Sequence, residues 1–251
     1  MRKLLFLLML GCSLTAWSQI GEHRNDFSIG GNAGLVMSNI GFDPTVPQTL
    51  HLGLTAGLSA RYVCEKYFKT ICSVYAEANI TQAGWKEDIL TAQDQPVINS
   101  ITGKAEKYSR TITYLQIPVF AHLAWGKEEQ GFNFFFQAGP QVGFYLGEST
   151  SANFDTASPN LTDRSNTVVA QYDMPVEKKF DYGIAAGAGV EYSHRRFGHF
   201  LMEARYYYGL GNIYGDTKRD YFGKSNVSNI VVKAAYLFSL GNKNKVSVKY
   251  N

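Results

Sequence analysis

Along most of this chain hydrophobic and polar residues alternate with a period of two. That is the period of a β-strand, whose side chains point to opposite faces in turn. From Leu52 to Cys64 one face reads Leu52, Leu54, Ala56, Leu58, Ala60, Tyr62 and Cys64, all apolar or aromatic. The other reads His51, Gly53, Thr55, Gly57, Ser59, Arg61 and Val63, small or polar with one exception. The same division recurs in Phe132 to Leu146, Phe180 to Tyr192 and Phe200 to Leu210, where rows of Phe, Tyr and Ala oppose rows rich in Gly. The pattern predicts eight strands, at about 26–38, 51–64, 70–82, 108–125, 131–147, 178–192, 199–211 and 229–240. Most exceed ten residues. Strands of globular proteins usually run to about 5 or 6, whereas a tilted membrane-spanning strand needs about 9–11.

The connections alternate in length. Residues 65–69, 126–130 and 193–198 are tight turns, while 39–50, 83–107, 148–177 and 212–228 are long and polar. Short turns at one rim and long loops at the other are the asymmetry of an outer-membrane barrel. The expected fold is therefore all-β: an eight-stranded antiparallel up-and-down transmembrane barrel, with short periplasmic turns and long extracellular loops. Hydrocarbon offers no hydrogen-bond partner, so a spanning sheet must close on itself. The apolar rows would face lipid, and the Gly and polar rows would fill a lumen just wide enough for side chains. A soluble sandwich or lipocalin-like barrel would reverse this facing. The Phe and Tyr rows carry too much volume for such an interior.

Tyr114-Leu115-Gln116-Ile117-Pro118 is followed by Gln137-Ala138-Gly139-Pro140 with Gly143-Phe144-Tyr145-Leu146. Asp181-Tyr182-Gly183, Gly187-Ala188-Gly189 and Glu203-Ala204-Arg205-Tyr206 with Gly209-Leu210 come next, in that order. Met37-Ser38-Asn39-Ile40 and Tyr75-Ala76-Glu77 precede them. Together these pieces resemble the PorT-like outer-membrane β-barrel family of Bacteroidetes over nearly the whole mature chain. The resemblance implies an eight-stranded outer-membrane barrel and no particular activity. The family's namesake is linked to protein secretion, but no motif here marks that role.

The N-terminus adds a compartment. Met1-Arg2-Lys3 is basic, Leu4 to Leu10 is apolar, and Ala16-Trp17-Ser18 places small residues before Gln19. This order predicts a signal peptide over 1–18 and a single barrel domain over 19–251. A buried N-terminal helix and a lipoprotein signal ending at Cys12 are the competing readings. The formal net charge of +3 over 251 residues gives no field for nucleic acid.

Candidate chemistry is sparse. Arg61, Glu77, Asp181, Glu191, Glu203, Arg205 and Lys233 all fall on lumen-facing positions, with His122 in register nearby. Acids and bases nearly balance, so an internal salt-bridge plug is favoured over an ion path. Pro118 and Pro140 cannot donate to a ladder, and bulges or a local bend would accommodate them. Cys64 and Cys72 flank the turn 65–69, and both a disulfide and two unpaired lipid-facing residues fit that placement. No His stands in a Ser-His-acid or His-Glu-x-x-His spacing, and no acidic triad has Ca²⁺-loop spacing. The expectation is a protein without enzyme activity, metal or cofactor. Its partners would be outer-membrane lipid and an extracellular ligand or envelope protein met by the charged and aromatic long loops. A narrow channel, a membrane-embedded hydrolase using His51 or His122, and a secretion-system accessory are the alternatives.

Overall fold

The computed structural model describes residues 22–127, 130–215 and 220–240. The predicted signal peptide, Cys12 and residues 216–219 of the long loop 212–228 lie outside them. Eight long strands form the barrel: β1 (Glu22–Asp43), β3 (His51–Tyr67), β4 (Thr70–Glu87), β5 (Tyr108–Gly126), β6 (Gly131–Ala152), β7 (Phe180–His194), β8 (Gly198–Asn212) and β9 (Lys224–Ser239). A two-residue strand, β2 (Gln48–Thr49), pairs with the end of β4. Each long strand pairs antiparallel with its neighbours in the chain, and β1 closes the ring against β9 from Ser28↔Ser239 to Asp43↔Lys224. No helix among the described residues is long and apolar enough to cross a membrane.

All eight expected strands are present, and the facing is as the alternation requires. Leu52, Leu54, Leu58, Phe134, Phe136, Ile184, Phe200 and Met202 point outward and are exposed, while Thr55, Ser59, Arg61, Gln137 and Glu203 point inward and are buried. The inward rows carry aromatic as well as polar side chains. Tyr75, Tyr114, Phe120, Phe135 and Tyr207 are buried among its polar groups. Glycines on facing strands admit such large side chains. A Cβ on Gly189 would stand 2.5 Å from Phe135 Cζ, and one on Gly34 would stand 2.3 Å from Lys233 Cβ.

Of the two accommodations expected for Pro118 and Pro140, the bulge is not the one used. Pairing runs past both of them without a change of register, so neither sits in a bulge. Instead each opens a short gap. The β4–β5 ladder lacks pairs between Ala76↔Val119 and Asn79↔Gln116, opposite Pro118. The β5–β6 ladder lacks them between Pro118↔Gln141 and Ala121↔Ala138, beside Pro140. A missing amide hydrogen removes a rung and need not insert a residue. The register shifts lie elsewhere, between His23 and Asp26, Val63 and Glu65, Thr113 and Tyr114, and Tyr208 and Asn212.

Candidate functional site

The β4 gap at Pro118 holds Glu77, the centre of the lumen's charge network. Glu77 accepts a hydrogen bond from Arg205 Nη2 at 3.0 Å and another from the Lys233 ammonium. Glu203 stands two residues before Arg205 on β8, so both side chains enter the lumen. It accepts from Arg205 at 2.5 Å and from Gln137 Nε2 at 2.6 Å, with Lys233 Nζ at 3.4 Å. The Arg205 guanidinium lies 4.5 Å from the Phe120 ring centroid. Neutral groups extend the network on both sides. Asn79 donates to Glu77 at 2.9 Å, and Asn32 donates to Asn79 and to Ser59, each at 2.8 Å. Gln137 Oε1 stands 3.1 Å from His122 Nδ1. Two acids face two bases, which is what makes burial of all four tolerable; an unpaired ion there would cost several kcal/mol, to order of magnitude.

The seven charges predicted from the sequence do not form one cluster. Glu77, Glu203, Arg205 and Lys233 meet. Arg61 and Glu191 form a separate pair at 2.6 Å, nearer the short-turn end. Asp181 stands apart near the long-loop end, where it accepts from the Tyr207 hydroxyl at 2.7 Å.

At the long-loop end the strands outrun the apolar belt. On β4 the outward residues after Ile80 include Gln82 and Lys86. Here the loops fold over the barrel mouth rather than standing free in solvent. Phe42, Trp85, Tyr108, Tyr172, Tyr214 and Phe222 form a buried aromatic lid. Arg110 on β5 ties the lid to the barrel. Its Nη1 donates to the Met174 carbonyl at 2.5 Å and its Nη2 to the Tyr172 carbonyl at 3.1 Å, and its guanidinium lies 5.3 Å from the Trp85 ring. Glu87, at the tip of β4, accepts from the Tyr172 hydroxyl at 2.7 Å and from Gln171 at 2.8 Å. Burial holds its carboxyl above the usual carboxylate range. Arg164 joins the two largest loops, bonding Tyr172 at 2.9 Å and Glu106 at 2.7 Å.

The model for the outer membrane protein beta-barrel domain family matches residues 17–215. The chain belongs to this family. Comparison with curated proteins finds no match. Among solved structures, the barrel is similar to Ail, the attachment invasion locus protein of Yersinia pestis, at 14% identity and a TM-score of 0.34, covering 86% of this chain and 100% of that one. It is similar to Neisserial surface protein A at 12% identity and a TM-score of 0.38, covering 84% and 97%. The outer membrane enzyme PagL matches at 12% identity and a TM-score of 0.35, covering 82% and 98%.

The remaining sequence candidates are placed as follows in this outer-membrane barrel. Cys64 and Cys72 are free thiols. The register shift at Cys64 puts Glu65, not Cys64, opposite Cys72, so they are not cross-strand partners. His122 is fully buried against Gln137, and His51 meets Thr111 Oγ1 at 3.0 Å. No group of three His, Cys, Asp or Glu among the described residues could hold a metal ion. The aromatic lid is what sequence reasoning misses. Trp85, Glu87 and Tyr214 fall in segments that the alternation leaves as long loops, and nothing in their spacing along the chain marks their meeting.

The lid yields a testable consequence. Arg110→Ala removes the donors that hold Met174 and Tyr172, and segment 153–179 is expected to detach. External protease should then cut that segment about tenfold faster or more in whole cells, as a locally opened segment would be, while folded barrel stays at wild-type level. Unchanged cleavage would mean that Arg110 does not anchor the lid.

Proposed function

We propose that the chain is exported by a cleaved signal peptide and that residues 19–251 act as a closed-lumen envelope barrel, structural or surface-binding in role. Its outer face, the folded lid, is the part that meets an extracellular ligand or envelope protein, and its apolar belt meets outer-membrane lipid. This role of lid and lumen is non-enzymatic and uses no cofactor and no nucleic acid. The ordered motifs from Tyr75-Ala76-Glu77 to Gly209-Leu210 support placing it with the PorT-like barrels of Bacteroidetes.

One observation carries the reading: the Glu77–Arg205–Glu203–Lys233 network joins β4, β8 and β9 inside the lumen, with all four side chains almost wholly buried. A channel would have to separate these ions or move them aside in a narrow, low-dielectric space. Each separation leaves charges without partners. The aromatic lid adds a second barrier above them. Binding on a rigid scaffold loses little ordering entropy, which suits loops already folded against one another.

Planar-bilayer recording of the purified, refolded chain tests this. The expected trace shows no steady open steps at moderate voltage. Regular steps of large amplitude, retained after repurification, would replace the closed-lumen reading with the channel reading.

A further inference from the structure

At the short-turn rim three side chains stand in an order that neither the lumen network nor the lid uses. Glu191 on β7, His199 on β8 and Ser239 at the end of β9 share the inward face. The ladders bring them together. His199 pairs with Ser193 on one side and Leu237 on the other, and Glu191 and Ser239 lie two residues from those partners. Glu191 Oε1 is 2.7 Å from His199 Nδ1. A carboxylate can only accept, so Nδ1 carries a proton, and in the neutral imidazole the lone pair is then on Nε2. Nε2 lies 3.0 Å from Ser239 Oγ. Arg61 at 2.6 Å and the Ser193 hydroxyl at 3.0 Å hold the Glu191 carboxylate in place. Glu191 is buried, whereas Ser239 is exposed. Acid, imidazole and hydroxyl in this sequence, each at hydrogen-bond distance, are the parts that activate a serine.

The surroundings point to a substrate. Phe27, Phe238 and Leu240 are exposed apolar residues on the outward face, one residue away from the inward-facing Ser28–Ser239 pair with which the β1–β9 ladder ends, so the lipid belt and Ser239 meet only across this rim. A phospholipid's ester carbonyls lie between acyl chains and head group, the level at which an apolar belt ends.

We propose that Ser239 is the nucleophile of an esterase site with His199 as its base, acting on acyl esters of phospholipids in the periplasmic leaflet. Ser239 Oγ bonds to the ester carbonyl carbon as its proton passes to His199 Nε2. The tetrahedral adduct collapses, the ester C–O bond breaks, and the leaving alcohol takes that proton. Water then attacks the acyl-serine, gives a proton to Nε2, and releases the fatty acid as the proton returns to Ser239. The net change is ester plus water to acid plus alcohol. Glu191 is a positioning residue that orients the imidazole. The site is independent of the closed-lumen reading, which a failure here would leave intact.

The test uses the full chain folded in phosphatidylglycerol–phosphatidylethanolamine vesicles. A fluorophosphonate probe is expected to modify Ser239, located by peptide mass spectrometry, and the vesicles are expected to release fatty acid. Ser239→Ala should abolish both. His199→Gln should lower both by at least about 100-fold, and Glu191→Gln should lower kcat with KM unchanged. Heat-modifiable migration on gels checks that each variant is folded. Absence of an adduct on Ser239 of the folded wild type would overturn the proposal, as would equal fatty-acid release by Ser239→Ala.

Discussion

Glu77→Ala is expected to lower the unfolding free energy of the barrel by about 3–5 kcal/mol, the usual cost of stranding one side of a buried ion pair. Glu77 accepts from both Arg205 and Lys233. Its removal leaves two cations facing Glu203 alone, in a lumen where water cannot freely replace the missing carboxylate. Asn79 loses an acceptor at the same time. Urea titration in vesicles, followed by tryptophan fluorescence, measures the loss. Two companions make the result specific. Glu77→Leu combined with Lys233→Leu removes one charge of each sign and should recover much of the stability. Asp181→Asn should cost about 1 kcal/mol or less, because the Tyr207 hydroxyl can donate to an amide oxygen as it does to the carboxylate. A loss below about 1 kcal/mol for Glu77→Ala would show that the network contributes little to holding the lumen together.

Leu58→Arg is expected to cost about 2–4 kcal/mol, the range for a cation on the lipid face at mid-bilayer. Leu58 is 64% exposed, on the outward row of β3, between Gly31 of β1 and Ala78 of β4. It lies near the middle of the apolar run from Leu52 to Tyr62. Exposure in a membrane barrel means contact with acyl chains, so a guanidinium there loses its hydration unless it reaches the interface. The neighbouring residue Ser59 supplies the control at the same depth. Ser59→Ala faces the lumen and loses one hydrogen bond from Asn32, a cost of about 1 kcal/mol. Urea titration of both variants in the same vesicles compares them. Equal costs at 58 and 59 would contradict the facing of β3.

Much of this architecture is written in the alternation. A strand period of two needs no knowledge of partners. The rows that begin at Leu52, Phe132 and Phe200 therefore mark strand, facing and approximate length. Strand ends are less legible. β1 and β6 run several residues past their predicted limits because they rise beyond the lipid belt, where polar residues break the alternation without ending the ladder. Glu203 and Arg205 can be placed together from sequence, since two residues on one strand share a face. Their meeting with Glu77 and Lys233 depends on strands far apart in the chain. So does the Glu191–His199–Ser239 row, which no spacing along the sequence displays.

Local sequence determined the strands, their facing and the sorting of short turns from long loops, because alternation and turn length are properties of neighbouring residues. Tertiary structure alone decided which charges pair, that Asp181 stands apart, and that the long loops fold into a lid. Those outcomes depend on register around a closed ring, where a single shift such as that at Cys64 changes every partner beyond it.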